Sequence, residues 1–417
     1  MRIAVVGAGV SGLTAAYVLA RRHDVALFEA NDYAGGHANT VLAREEGRTI
    51  PVDTGFIVFN EVNYPNLCRL FWLLGVESEK SDMSFSVHCE ATGLEYNGTS
   101  LNKLFGQRRN LVRPAFWRMV RDILRFNRQA VHDLQNGLGD DATVAGYIAR
   151  GEYSDPFVNH YLMPLGASLW SCDTDTFSSF PMRFVIEFLH NHRMLQVEGR
   201  PVWRTVSGGA RTYIEKLLDA YRGRLHLNAP VHAVKRNARD VEIHFDGAKK
   251  ETFDEVILAS HADQSLRTIR EPDRRERETL EMFPYRRNRV TLHTDARVLP
   301  ERRNIWAAWN YRIPGTESRR TSVTYNMNIL QNLSSRRTYC VSLNQDAPID
   351  GAQILRRIDY DHPMFIPGRE AAQGEHGALI RRNGISYCGA YWGYGFHEDG
   401  VRSALNVCAA FDQELEH

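Results

Sequence analysis

The stretch RIAVVGAGVSG, Arg2 to Gly12, decides how the rest of the chain is read. Ile3 to Val6 is a short, wholly apolar run of the kind that forms a buried parallel strand. It breaks into glycines with the spacing G-x-G-x-x-G at Gly7, Gly9 and Gly12. Ser11 to Arg22 then carries Leu13, Ala16, Tyr17 and Ala20 at helical spacing, and Val25 to Phe28 is a second apolar strand ending in Glu29. In such a unit the first glycine permits the tight turn, the second lets backbone approach a pyrophosphate, and the third lets helix and strand pack closely. The helix N-terminus adds free N–H groups and partial positive charge, to which Val10 and Ser11 belong. Glu29 lies 17 residues after Gly12, near the ~20 expected of an acid that accepts ribose hydroxyls. Its charge would repel a 2′-phosphate, which disfavours NADP.

A length of 417 residues at ~150 per domain implies two or three domains. A chain that is 43% apolar and 24% charged can bury a substantial core. A formal net charge of +1 gives no global attraction to nucleic acid or membrane, and the arginines sit in no recognised nucleic-acid fold. Six cysteines, Cys68, Cys89, Cys172, Cys340, Cys388 and Cys408, are scattered without C-x-x-C spacing. This argues against a metal site or a disulfide framework and for a reducing compartment. The chain has no signal-peptide pattern and no run of ~20 apolar residues, so a cytoplasmic location is expected.

The segments that follow the second strand resemble the flavin-containing amine oxidase superfamily. Gly35-Gly36-His37 stands where that family continues the dinucleotide site beside Ala30, with His37 in place of the usual arginine. IPVDTGFIVFN places Asp53, Thr54, Gly55 and Phe56 at the family's acid-x-Gly turn by the flavin. RTVSGGARTYIEKL (Arg204 to Leu217) matches its Gly-Gly turn and helix, and APVHAVKR (Ala229 to Arg236) the strand that meets adenine through Val231. FDEVILASHA (Phe253 to Ala262) matches the strand reaching pyrophosphate and flavin at Ala259. GAYWGYGFHEDG, Gly389 to Gly400, matches the glycine turn before the closing helix. There Asp399 is the expected N-cap, and Gly389, Glu398, Asp399, Gly400 and Val401 are expected at the cofactor. Val401, Ala404, Leu405, Cys408, Phe411 and Leu415 share one apolar face. The resemblance implies FAD as cofactor and an α/β fold, α+β overall: a Rossmann-like FAD domain from 1–75, 205–262 and 380–417, interleaved with a sheet-plus-helix substrate domain from 76–204 and 263–379.

GGHANTV, DTGFIVFNEVNYPNL, SDMSF, RMLQVEGRPVW and VTYNMNILQNL resemble, more narrowly, a bacterial family described as predicted NAD/FAD-binding proteins. They also resemble the N-terminal oxidase-like part of plant cyclopropane fatty acid synthases. Bacterial members often accompany cyclopropane-synthase-like methyltransferases. This implies an acyl or other small-molecule substrate and a lipid methyltransferase as a partner.

Leu111 to Leu134 reads as a long helix broken at its start by Pro114, with Val112, Phe116, Met119, Ile123, Phe126 and Ala130 on one face. Arg118, Arg121, Arg125 and Arg128 form a cationic stripe. The stripe suits either a solvated face or peripheral contact with the inner face of a membrane. Flavin oxidation also needs a group that handles one proton. Candidates are His397 and Tyr394 in the closing turn, His192 and His190 before the Gly-Gly turn, and His261 after the third FAD strand. Tyr391, Trp392, Trp306, Trp309, Tyr325 and Met327 are candidates to wall an apolar tunnel. None of the six lysines stands where amine oxidases hold a water near the flavin.

Overall fold

The computed structural model describes residues 1–138, 142–196, 198–315, 322–345 and 348–415; Val197 of RMLQVEGRPVW lies outside them. Five parallel strands form the first sheet, in the order Arg224–His226, Asp24–Phe28, Arg2–Val6, Glu255–Leu258 and Ile385–Tyr387. Alternation splits each strand between two cores. Ile3, Val5, Val25, Leu27 and Ile257 pack with Leu13, Val401, Ala404 and Cys408, from helices Val10–Leu19 and His397–Ala409. Ala4, Val6, Ala26, Phe28, Val256 and Leu258 face an antiparallel meander of Val231–Arg236, Val241–Phe245 and Lys249–Phe253.

A second, seven-stranded sheet runs Ile354–Pro363, Tyr285–His293, Cys340–Leu343, Val323–Asn326, Trp309–Ile313, Phe85–Cys89 and Leu94–Asn97. All its neighbours are antiparallel except Trp309–Ile313 with Phe85–Cys89. A helical layer, including Pro114–Asn136 and Met182–Asn191, shares an aromatic-rich core with that sheet.

Three sequence expectations are corrected. The helix expected to break at Pro114 begins there. A 3-10 turn spans Arg108–Val112, and Arg113 is extended at φ −90° and ψ 111°. Proline lacks an N–H and disfavours helical geometry in the residue before it, so it serves at the first helical position. Val112 therefore leaves the apolar face and is 81% exposed. In the closing helix the cap position falls on Phe396, not Asp399. Asp399 is the third helical residue, and its carboxylate reaches back to accept the Phe396 N–H at 3.0 Å.

Candidate active site

The glycine turn is shaped by what each position meets. Gly7 has φ +102°, open to glycine and strained for other residues. A side chain on Gly12 would overlap the Gly7 carbonyl oxygen, so this position serves packing and does not line the cavity. A Cβ on Gly9 would meet no protein atom within 4 Å. Gly9 borders a cavity of about 1280 Å³, beside Gly7, Val10 and Ser11. Gly36 lies against Gly9, since a Cβ there would stand 3.3 Å from the Gly9 Cα. Glu29 accepts the Ala8 N–H and the Asn31 N–H, both at 2.9 Å, and lines the same cavity with Ala30 and Val231. Asn31 Nδ2 also donates to Oε1, so Oε2 is the oxygen that keeps a lone pair for a sugar hydroxyl.

These features fit the dinucleotide half of FAD: an open backbone cradle at a helix N-terminus and an anchored acid at the adjacent strand end. The wall continues through Gly35, His37, Thr54, Gly55, Phe56, Ala259 and Gly389. The volume exceeds the ~300–1,000 Å³ usual for one small ligand, leaving room for cofactor and substrate together.

Ring contacts then lead into the helical layer. His397 stacks on Phe56 at 3.7 Å, and its neighbour Phe396 stacks on Phe188 at 5.2 Å. Phe188 also meets His192 at 3.9 Å and Tyr394 at 5.6 Å. Of the five candidate proton handlers, His397, Tyr394 and His192 thus share one part of the cavity but differ in chemistry. Burial pushes the His397 imidazole down to about 3, and its Nε2 lies 3.2 Å from the Tyr213 hydroxyl. It is a neutral partner of Tyr213. Burial holds His192 down at about 4. Its Nδ1 lies 2.9 Å from the Phe188 carbonyl. A carbonyl can only accept, so Nδ1 carries the proton and Nε2 is the acceptor. Burial raises the Tyr394 phenol to about 12, so it stays protonated. His190 is exposed and outside the site.

Besides Gly12, five expected cofactor contacts stand behind the wall, among them Asp399, which accepts from the Phe396 N–H and Arg402. Asp53 is fully buried and accepts the Ala210 N–H and Gln331 Nε2, the first at the start of helix Arg211–Ala220. Glu398 accepts the Asn66 and Leu67 N–H groups and Asn66 Nδ2, capping helix Pro65–Leu73. Gly400 gives close approach to Val10 and Ser11, and Val401 is core. Among the tunnel candidates, Tyr391, Trp309 and Tyr325 line the cavity. Trp392 stacks on His376 at 4.3 Å, Trp306 donates to the Pro300 carbonyl, and Met327 is core. Lys80, exposed, is the one lysine in the wall among the described residues.

A histidine cluster was missed. His37 lies 6.1 Å from His261 and 5.5 Å from His362, all on the cavity, with His37 stacked on Tyr360 and His261 on Tyr285. Burial is the first cause lowering all three, and His362 falls to about 4. The available signal was alternation: Tyr360 and His362 point to one face of strand Ile354–Pro363.

Comparison with known proteins agrees with this geometry. The family described as flavin containing amine oxidoreductase matches residues 10–343. An L-amino acid oxidase of Bothrops pictus is 24% identical over 294 residues, 65% of this chain and 55% of that one. The chain spans about half the length of the curated relatives it matches. Cyclohexylamine oxidase from Brevibacterium oxydans IH-35A superposes with a TM-score of 0.70 at 16% identity, covering 98% of both chains. A CLA-producing fatty acid isomerase from P. acnes gives 0.69 at 14%, with the same coverage. At such identities the solved structures speak for the fold alone. With most of its length matched, the chain belongs to the flavin-containing amine oxidoreductases, a family of FAD-dependent oxidoreductases.

Proposed function

We propose that the protein oxidises or desaturates an apolar acyl substrate, a fatty acid or a phospholipid chain. The observation that carries this reading is the wall of the cavity beyond His192. It is formed by Tyr161, Leu165, Leu169, Trp170, Met194 and Phe365, a lining suited to methylene groups. Arg200, exposed where the cavity meets solvent, suits an anionic head. The resemblance to proteins that accompany cyclopropane-synthase-like methyltransferases points to branched or cyclopropane chains, and to such a methyltransferase as partner at the cytoplasmic side.

FAD bound in the cradle supplies a two-electron sink that accepts hydride. The rest falls to the chain. The apolar wall aligns the acyl chain and excludes water. Neutral His192, oriented by the Phe188 carbonyl, offers Nε2 to the proton from the adjacent carbon. Its imidazolium is favoured only when negative charge develops nearby, which ties proton uptake to electron transfer.

The test is anaerobic mixing of the FAD-loaded protein with detergent-solubilised methyl-branched acyl lipids while flavin absorbance is followed. Bleaching is expected, with the acyl product lighter by two hydrogens. His192→Ala should slow bleaching by about 10²-fold. The 24% identity to an L-amino acid oxidase favours a second reading, oxidation of an amine. Bleaching by amines and by no acyl lipid would replace the first reading with it. A product of unchanged mass would make the protein a double-bond isomerase. Lipid output that survives Gly9→Asp would leave it a non-catalytic partner of the methyltransferase.

A further inference from the structure

Five of the thirteen most exposed large apolar side chains among the described residues fall within 101–124: Leu101, Leu111, Val112, Trp117 and Leu124. They form one surface. Arg108 donates to Asn102 Oδ1 at 2.9 Å, which ties the 3-10 turn to helix Leu101–Leu104. Trp117 Nε1 donates to the Leu111 carbonyl at 2.9 Å, and its ring lies 5.3 Å from Phe105. Along helix Pro114–Asn136, Trp117, Arg121, Leu124 and Arg128 recur at helical spacing, while Phe116, Met119, Phe126 and Ala130 take the buried side. The outer stripe, apolar residues alternating with arginines, lies opposite an inner face already satisfied by the core.

The charge around it has one sign. Residues 101–128 carry eight Lys or Arg and one carboxylate, Asp122, whereas the whole chain balances to +1. Asp122 is buried and faces Arg125 at 3.4 Å and Arg121 at 3.9 Å. Among the described residues no ion pair joins Arg118 or Arg128 to a carboxylate. Aromatic and aliphatic side chains interleaved with unneutralised guanidinium groups match the boundary between headgroups and acyl chains in an anionic bilayer. The cavity wall includes Gly98 and Thr99, directly before Ser100, which caps helix Leu101–Leu104. Surface and cavity therefore meet in one short segment.

We propose that this surface docks the protein on anionic phospholipid, with Leu101, Val112, Trp117 and Leu124 inserted and the arginines on the headgroups, so that the cavity opens beside the bilayer. As a route for substrate this rests on the acyl reading above; as a docking surface it does not. The test is co-sedimentation of the FAD-loaded full chain with phosphatidylcholine vesicles, with and without phosphatidylglycerol. Wild type should partition about tenfold better onto the anionic vesicles, and high salt should abolish the difference. The exposed substitutions R118E/R121E/R128E, and separately V112S/W117S, should each lower that partition by about tenfold with an unchanged circular dichroism spectrum. Equal partition onto both vesicle types, or reversal variants that bind as wild type does, would overturn the proposal. So would a single-stranded RNA that competes for the same arginines more tightly than the vesicles do. Flavin bleaching by detergent-solubilised lipid is read separately. Vesicle binding without bleaching sinks the acyl reading and keeps the surface, and bleaching without vesicle binding does the reverse.

Discussion

Gly9 and Gly12 stand three residues apart and answer to different constraints. Gly12 has no room because of the Gly7 carbonyl, while Gly9 has room that only a ligand fills. Gly12→Val is therefore expected to fail to fold or to lose ~3 kcal/mol or more. Gly9→Asp should fold with a near-native unfolding midpoint yet purify colourless, because its carboxylate would meet the phosphates of FAD. A yellow Gly9→Asp protein would place the cofactor elsewhere. Asp53 makes a second case. Burial raises it to about 7 while the Thr40 hydroxyl and the Ala210 N–H favour its charge. Asp53→Ala strands those donors and should cost ~3 kcal/mol in urea unfolding. The two cases mark what was legible in the sequence. The roles of the glycines and Glu29 are local, set by a turn and its flanking strands. Two of the partners of Asp53, Ala210 and Gln331, lie 157 and 278 residues away, and no spacing rule reports them.

At the scale of elements, strands and helices with a strong period were readable. Three of the predicted FAD strands, Ile3–Val6, Val25–Phe28 and the one within Phe253–Ala262, are neighbours in one parallel sheet, the one within Ala229–Arg236 joins the antiparallel meander, and the closing helix buries the expected face. What failed was assigning a job to a polar residue from its place near a turn. Glu398 looked like a cofactor contact and instead joins two helices, holding the N-terminus of Pro65–Leu73 from 331 residues away. Tertiary pairing decided this, because a helix start leaves N–H groups that some acceptor must satisfy. Glu398→Ala should lower the unfolding free energy by ~2 kcal/mol, and Asn66→Ala in the same background should add little, since the two act as one unit. Fully additive losses in that double-mutant cycle would mean that the pair is not coupled. The histidine cluster was only partly legible, for a related reason. It draws His37, His261 and His362 from three separate segments, and only the register of strand Ile354–Pro363 against Tyr285–His293 brings the last of them in.

For the whole molecule, the cavity and the packed cores around it bury many titratable groups without charge. Burial lowers His192, His293, His362 and His376 to about 4. Unfolded, each would titrate near ~6.5. Between those values the unfolded chain binds more protons than the folded one, so stability is present above ~6.5 and is lost as pH falls toward 4. Each histidine contributes up to ~1.4 kcal/mol per pH unit in that window. Asp53 runs the other way. Folded, it keeps a proton up to about 7 that the unfolded chain releases above ~3.9, so its contribution grows on acidification. Four histidines outweigh it, and the cofactor-free protein should unfold at clearly lower urea at pH 5 than at pH 7.5. A midpoint that rises on acidification would show the buried carboxylates in command. FAD should narrow the loss. Its diphosphate would lie by Gly9 and Gly36, next to His37, and negative charge there favours the imidazolium that burial alone forbids. The stabilisation by added FAD is therefore expected to grow as pH falls from 7.5 to 5. His37→Arg, which fixes the charge, should flatten that dependence, whereas an unaltered slope would remove the histidine cluster from cofactor binding.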